Sequence, residues 1–292
     1  MSVLCKNELL PWIPLISALG FLLLLRHLIC LTRWRGLNLI LVSRSRDKLE
    51  QLSEELLATN ERLRVRILAL DLDGDISGGV REIGEMAKDL DVGVLINNVG
   101  VICLNARFFH EVEEELWRSL VRVNIEGMVS FTRAVLPAML RRGRGAVVNI
   151  GSGGAVVLPS IPLSAMYAST KAFVDQFSRS LHVEYRHHGI HVQCQIPLYI
   201  ATKMVSMVIK IDKPSIFVPS PEDYTEAAIR QIGYEARRMP YWSHSVQWFF
   251  ARLVPVSLLD FWILNRALKR RARSPPTFSG LTDRAVQGIV AG

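Results

Sequence analysis

The sequence predicts an α/β domain built on a doubly wound parallel sheet, and two observations carry that prediction. Short apolar runs of strand length recur at 37–42, 65–70, 92–96, 146–150 and 190–196. The segments between them are long enough and patterned for helices, which is the order of repeated β-α-β units. With 292 residues, 50% of them hydrophobic, the chain can bury one large core and still supply a membrane segment. The expected organisation is an anchor and linker over 1–35, the α/β domain over 36–240, an apolar and basic membrane-associated segment over 241–274, and a disordered tail over 275–292.

Charge and cysteine content narrow the class. The net charge of +8 is scattered through helices and gathered in RALKRRARS at 266–274. That pattern suits an anionic membrane face or phosphate-bearing small molecules, and no nucleic-acid motif accompanies it. Cys5, Cys30, Cys103 and Cys194 have neither paired nor metal-like spacing and read as structural thiols of a reducing compartment.

In chain order, the first element is an anchor. Residues 9–25 are uncharged, and the apolar run resumes at 28–31 beyond Arg26 and His27, about the length that spans a bilayer. A cleaved signal peptide is the rival, but cleavage after 18–20 leaves an apolar new terminus at 21–25. Arg26, Arg33 and Arg35 outweigh Lys6, so the positive-inside rule puts the main domain in the cytosol. The strand at 37–42 ends at Ser43-Arg44, and a helix follows over 47–60. The strand at 65–70 ends at Asp71, and the strand at 92–96 leads into Asn97 and Asn98. A helix over 113–140 carries Asn124 in its middle. After the strand at 146–150 and the loop of Ser152 comes a helix over 166–185, on which Phe173, Phe177 and Leu181 form one apolar face. The strand at 190–196 runs into Pro197, Leu198 and Thr202. Residues 204–221 are Met-rich and suit a cover for an apolar ligand through Met204, Met207, Val208 and Ile209, although an ordinary hydrophobic helix fits equally. Residues 246–264 are strongly apolar but interrupted by Arg252, Pro255 and Asp260, so they read as an interfacial or re-entrant segment rather than a clean span. His187, His188 and His191 do not converge on a metal, since two end a helix and the third lies on the next strand.

Chemistry concentrates between Ser152 and Lys171. Tyr167 and Lys171 are four residues apart, so on a helix they share a face and the ammonium can lie beside the phenol. A phenol with a pKa of about 10 is a poor proton shuttle at neutral pH, and an adjacent cation stabilises the phenolate. Ser152 is placed to hydrogen-bond a substrate carbonyl while Tyr167 delivers the proton. Asn124 can hold a water that links Lys171 to solvent, or it can be satisfied by backbone.

These residues, with NNVG at 97–100, VNIEG at 123–127 and AVVNIGSG at 146–153, resemble the short-chain dehydrogenase/reductase family. GLNLILVSRSRDKL at 36–49, YASTKAFVDQFSRSLHVEY at 167–185 and HVQCQIPLYIATKM at 191–204 are similar to the plant-type very-long-chain 3-oxoacyl-CoA reductases of fatty-acid elongation. The resemblance covers roughly 36–250 and implies a Rossmann-like fold, NADP(H) as cofactor, a long-chain acyl-CoA substrate and an endoplasmic reticulum membrane location. It assigns Tyr167, Lys171, Ser152 and Asn124 to catalysis. Arg44, Asp71, Asn98 and Thr202 would contact the cofactor with Tyr167 and Lys171, and a cation at Arg44 favours a 2′-phosphate. Two departures stand out. Leu198 replaces a glycine common among relatives, and the chain ends GIVAG rather than in a lysine-rich retrieval signal.

The larger departure lies before Gly36. Relatives carry a strand, a Thr-Gly-x-x-x-Gly-x-Gly turn and a helix there, about thirty residues whose amides and helix dipole hold the pyrophosphate. Here TRWRG alone separates Leu31 from the strand at 37–42. GDISGG at 74–79 and GSGG at 151–154 lack the strand-then-helix context and read as ordinary turns. Loss of a central strand makes its neighbours close up or leaves buried backbone groups unpaired, at about 1–3 kcal/mol each. Three readings remain open: an active reductase with altered cofactor binding, a non-catalytic membrane partner of elongation enzymes, and a hydroxysteroid dehydrogenase.

Overall fold

The computed structural model describes residues 37–103, 105–202, 204–206 and 213–273. The expected anchor over 1–35, the cover residues Met207, Val208 and Ile209, and the tail over 275–292 lie outside them. The first strand, β1 (Leu39–Ser43), pairs in parallel with β2 (Val65–Ala69), from Leu39 opposite Val65 to Ser43 opposite Ala69. A second, four-stranded parallel sheet has the order β3 (Val94–Asn97), β4 (Gly145–Ile150), β5 (Ile190–Gln195) and β6 (Arg237–Arg238). Among the described residues no strand joins β1 to β3, so the parallel strands form two sheets and not one.

Both sheets are nevertheless covered by shared helices, as a doubly wound fold requires. Strand β1 alternates. Leu39 and Leu41 face Leu49, Leu52 and Leu56 of α1 (Arg46–Thr59), while Ile40 and Val42 join the main core on the other side. That main core brings Ile83 and Ala87 of α2 (Ser77–Asp89) against Val135 and Met139 of α4 (Gly127–Arg142) and against Val147 and Val192 of the larger sheet. The two sheets are thus tied through side chains of the helix layer rather than through a ladder between strands. Strand β5 is buried at every position but His191, the mark of a strand covered on both faces.

The helix expected over 113–140 is divided. It consists of α3 (Glu114–Val121), a π turn (Arg122–Glu126) and α4, which ends at Gly143 with φ +64°, a left-handed cap that glycine adopts without strain. The π turn contains Asn124. A single turn, α5 (Gly153–Val156), follows β4, and α6 (Ala165–Tyr185) carries the Tyr167–Lys171 pair. The apolar face expected on α6 is only partly core. Phe177 and Leu181 pack inward, but Phe173 is exposed and stacks on Phe177 at 5.7 Å between ring centroids.

After α7 (Pro221–Arg230) and β6, the segment expected to be interfacial forms two helices, α8 (Trp242–Ala251) and α9 (Val256–Ala272), bent by 114° at the residues between them. Among the described residues no single helix is long and apolar enough to cross a membrane. Helix α9 lies across two loops. Leu268 and Ala267 pack on Ala106 and Leu163, Arg271 pairs with Glu111 at 2.7 Å and stacks over Phe108, and Asp260 accepts from the Ser160 hydroxyl.

Candidate active site

The carboxyl ends of the parallel strands present the loops in which a doubly wound fold places its ligands. Strand β4 ends at Ile150, and Gly151 lets the chain pass close to β5, where a Cβ would meet Cys194 Sγ at 2.8 Å. Ser152 then caps α5, its hydroxyl accepting from the Gly154 N–H at 3.2 Å. Helix α6 begins just after Leu163, a buried non-glycine residue held at φ +63° whose carbonyl accepts from the Arg107 N–H at 3.0 Å. The left-handed residue turns the chain so that the first two helical turns bring Tyr167 to Ser152 and Lys171 to the Ile150 carbonyl.

The polar contacts at this point are specific. Burial pushes the Tyr167 phenol above its ordinary pKa, and a hydrogen bond with the Ser152 side chain opposes the shift. Lys171 is 7% exposed, and burial lowers its ammonium from 10.5 to about 8. It was expected to lie beside the phenol and depress its pKa. Instead Lys171 Nζ donates to the Ile150 carbonyl at 2.8 Å, and the pKa of Tyr167 moves up because desolvation outweighs its one hydrogen bond.

Asn124 also departs from expectation. Its Oδ1 accepts from the Val101 N–H at 2.8 Å, and its Nδ2 donates to the Val101 carbonyl at 3.0 Å and to Thr170 Oγ1 at 3.0 Å. Both Nδ2 donors are taken by protein groups, so any relay water would have to donate to the second lone pair of Oδ1. Thr170 in turn donates to the Tyr167 carbonyl at 2.8 Å. Gly100 closes the cluster, since a Cβ there would lie 3.2 Å from Asn124 Oδ1 and 3.3 Å from Lys171 Nζ. Val101, Asn124, Thr170 and the catalytic helix are therefore one hydrogen-bonded frame, with Ser152, Tyr167 and Lys171 at its centre.

A family model described as short chain dehydrogenase matches residues 32–211. The chain belongs to the short-chain dehydrogenase family. A very-long-chain 3-oxoacyl-CoA reductase-like protein of Arabidopsis thaliana is 53% identical over 239 residues, covering 82% of this chain and 76% of the relative. The human inactive hydroxysteroid dehydrogenase-like protein 1 is 38% identical over 247 residues, covering 82% of this chain and 72% of that one. The fold is similar to a short-chain dehydrogenase from Sphingobium yanoikuyae solved in complex with NADPH, with TM-score 0.62 and 24% identity, covering 88% of this chain and 94% of that one.

In this short-chain dehydrogenase the expected cofactor residues fall into three places. Arg44 and Asp71 come together just past the carboxyl ends of the paired strands β1 and β2, where burial lowers the Arg44 pKa and Asp71 and Asp73 oppose the shift. Asn98 follows β3. Its neighbour Asn97 donates within the core to Asn149 Oδ1 at 2.8 Å and Thr132 Oγ1 at 3.1 Å. Thr202 lies beyond β5, its hydroxyl accepting from the Val205 N–H at 3.3 Å.

Sequence reasoning missed four residues of this neighbourhood. Gly100 and Thr170 lay inside motifs already singled out and were not assigned a part. Leu163 gave no signal, because left-handed backbone favours glycine and nothing in the sequence marks a leucine there. His244 was silent too. It is fully buried, its Nδ1 accepts from the Leu198 N–H at 3.3 Å, and its Nε2 lies 3.2 Å from the Tyr199 carbonyl.

Proposed function

We propose that the chain is an NADPH-dependent reductase of very-long-chain 3-oxoacyl-CoA, giving the 3-hydroxyacyl-CoA. In this reading it is anchored to the endoplasmic reticulum membrane by residues 1–35, with its catalytic domain on the cytosolic side. The observation that carries the reading is the hydrogen bond between the Ser152 and Tyr167 side chains, with Lys171 buried one turn further along the same helix. The name of the Arabidopsis relative supplies the substrate class.

The residues present fit the nicotinamide half of the cofactor. Among the described residues the Lys171 ammonium has one hydrogen-bond acceptor, the Ile150 carbonyl, so two of its three N–H donors remain for ribose hydroxyls. Gly100 keeps the approach to Lys171 and Asn124 open, where a Cβ would crowd both. At the other end Arg44 would meet the 2′-phosphate and Asp71 the adenine, with Thr202 and Asn98 between. When bound, NADPH supplies the hydride to the carbonyl carbon. Ser152 Oγ orients the carbonyl oxygen. Tyr167 gives its phenolic proton to that oxygen as the alkoxide develops, and the Ser152 hydroxyl, hydrogen-bonded to Tyr167, steadies the phenolate that remains. Asn124 holds Val101 and Thr170, and through Thr170 the turn that carries Tyr167.

A second reading is a non-catalytic membrane partner of elongation enzymes. It is favoured by the break between β1 and β3, which falls where relatives hold the pyrophosphate, and by the similarity to a protein named as inactive. The deciding experiment is a fluorescence titration with NADPH of the detergent-solubilised chain, with turnover of a long-chain 3-oxoacyl-CoA by the native chain and by Tyr167→Phe. Micromolar binding with turnover that drops about 10²- to 10⁴-fold in the variant supports the reductase. A folded sample that binds no NADPH at millimolar concentration supports the partner.

A further inference from the structure

The structure assigns a second membrane contact: the elbow between α8 and α9 is a docking surface for an anionic lipid bilayer, inserted from one side and not spanning it. The two helices meet at 114°, and the exposed side chains around the bend are apolar apart from Arg252 and Ser257. Phe249, Phe250, Leu253, Val256, Leu258 and Phe261 are each 58–68% exposed and lie within thirteen residues of one another in the chain. An exposed apolar cluster of this size on a water-facing protein is a contact surface.

Its occupant is identified by what borders it. Arg252, the first residue of the bend, lies over the half-buried Trp248 ring at 5.3 Å, and on α9 Arg266 lies over the exposed Trp262 ring at 4.9 Å. One Trp–Arg pair thus stands at the bend and the other on the α9 arm. Tryptophan belongs at the level of lipid headgroups, and arginine beside it keeps its stem in apolar surroundings while its head reaches phosphate. Beyond Arg266, Lys269 and Arg273 are exposed, whereas the one acid of the pair, Asp260, is held by Ser160. The surface is therefore apolar at its tip and cationic at its rim, which fits acyl chains below anionic headgroups. A protein groove would have to supply acids around an aromatic hollow, and a second copy of this elbow would bring cations against cations.

The position adds a consequence, which rests on the reductase reading. The inner side of α9 holds the loops of Ala106–Glu111 and Ser160–Leu163 beside the catalytic helix, and α8 holds the Leu198–Tyr199 loop through His244. Docking of the elbow sets these three loops at the membrane surface, so a substrate with a long acyl chain reaches Ser152 and Tyr167 from the bilayer.

The test uses the full chain with Cys5 and Cys30 replaced by serine, reconstituted in vesicles of phosphatidylcholine and phosphatidylserine. A polarity-sensitive fluorophore is attached at Phe261→Cys or, for comparison, at the exposed Glu54→Cys; the native Cys103 and Cys194 are buried. The label at 261 is expected to shift to the blue, to lose most of its emission to nitroxide-bearing lipids, and to resist aqueous iodide. The label at 54 should behave oppositely. With phosphatidylcholine alone, lipid quenching at 261 should fall, and Arg252→Gln with Arg266→Gln should reproduce that fall in the mixed vesicles. Iodide quenching at 261 as strong as at 54 overturns the assignment. Shielding from both quenchers also overturns it, since protein then covers the elbow, and quenching indifferent to headgroup charge overturns the anionic preference. None of these readouts depends on turnover, so a chain without reductase activity leaves the test intact.

Discussion

His244 on α8 takes the Leu198 N–H at Nδ1 and faces the Tyr199 carbonyl with Nε2, which fixes the ring as the Nε2–H tautomer and fastens the loop after β5 to the C-terminal helices. Since both loop groups are peptide groups, the clasp is blind to the identity of Leu198 and Tyr199.

His244→Ala removes the partner of the half-buried Leu198 N–H and Tyr199 carbonyl, a loss of about 0.5–1.5 kcal/mol for each bond. Thermal unfolding should shift down by about 2–4 °C per kcal/mol. Because the loop leads to Thr202, KM for NADPH should rise by more than kcat falls, and His244→Gln should recover part of both. A kcat loss with KM unchanged would show that the loop does not touch the cofactor.

Lys171 makes a stability prediction with a definite sign. Its folded pKa of about 8 is below the ordinary 10.5, so between those values the unfolded chain binds the proton more readily and stability rises with pH. Below pH 8 both states are protonated and the burial penalty is felt in full. Lys171→Met has no such group. The stability difference between variant and native chain should therefore shrink by about 3 kcal/mol from pH 8 to 10.5, by the conversion of 1.36 kcal/mol per unit. Urea unfolding at several pH values measures it, and a difference independent of pH would mean the ammonium is well solvated.

At Leu163 two effects compete. Glycine there relieves left-handed strain of about 1–2 kcal/mol. Truncation also removes a buried side chain packed on Ala106, Ala267 and Leu268, a loss of about 2–5 kcal/mol for a large apolar residue. Packing wins, and Leu163→Gly should be destabilised by roughly 1–3 kcal/mol. A stabilised variant would mean that the strain is the larger quantity.

The two sheets should also exchange hydrogen separately. Strands β3, β4 and β5 are laddered together around the fully buried Val147 and Cys194, whereas β1 has β2 as its one strand partner among the described residues. Amides of β1 and β2 should lose protection at a lower free energy than those of β4 and β5, as one unit. Uniform protection across all five strands by native-state exchange would show that the helix layer couples the sheets fully.

Much of this was legible in the residues. Each apolar run became a strand within a residue or two, because strands of a doubly wound sheet are buried on both faces and need no alternation to be seen. The Ser152, Tyr167 and Lys171 cluster was legible because four-residue spacing fixes a helix face. Hydrogen-bond direction was not. Lys171 choosing the Ile150 carbonyl, and Asn124 choosing Val101, depend on where two loops end, and spacing carries no record of that. Asn97 illustrates the same limit, since its turn into the core toward Asn149 and Thr132 depends on residues 52 and 35 positions away. His244 lies more than forty residues from the loop it holds, beyond any local pattern.

The π turn at Arg122–Glu126 has a consequence of a different kind. It contains one more residue than the α turn it replaces, so α3 and α4 are a single helix read one position out of phase. Substituting a residue there changes a side chain. Deleting one instead turns α3 by about 100° relative to α4, and Leu120 and Val135, which now share a core, would no longer face it together. At this point the protein is specified by chain length as much as by letters, and a loss of a single codon is a graver change than any replacement of Ile125.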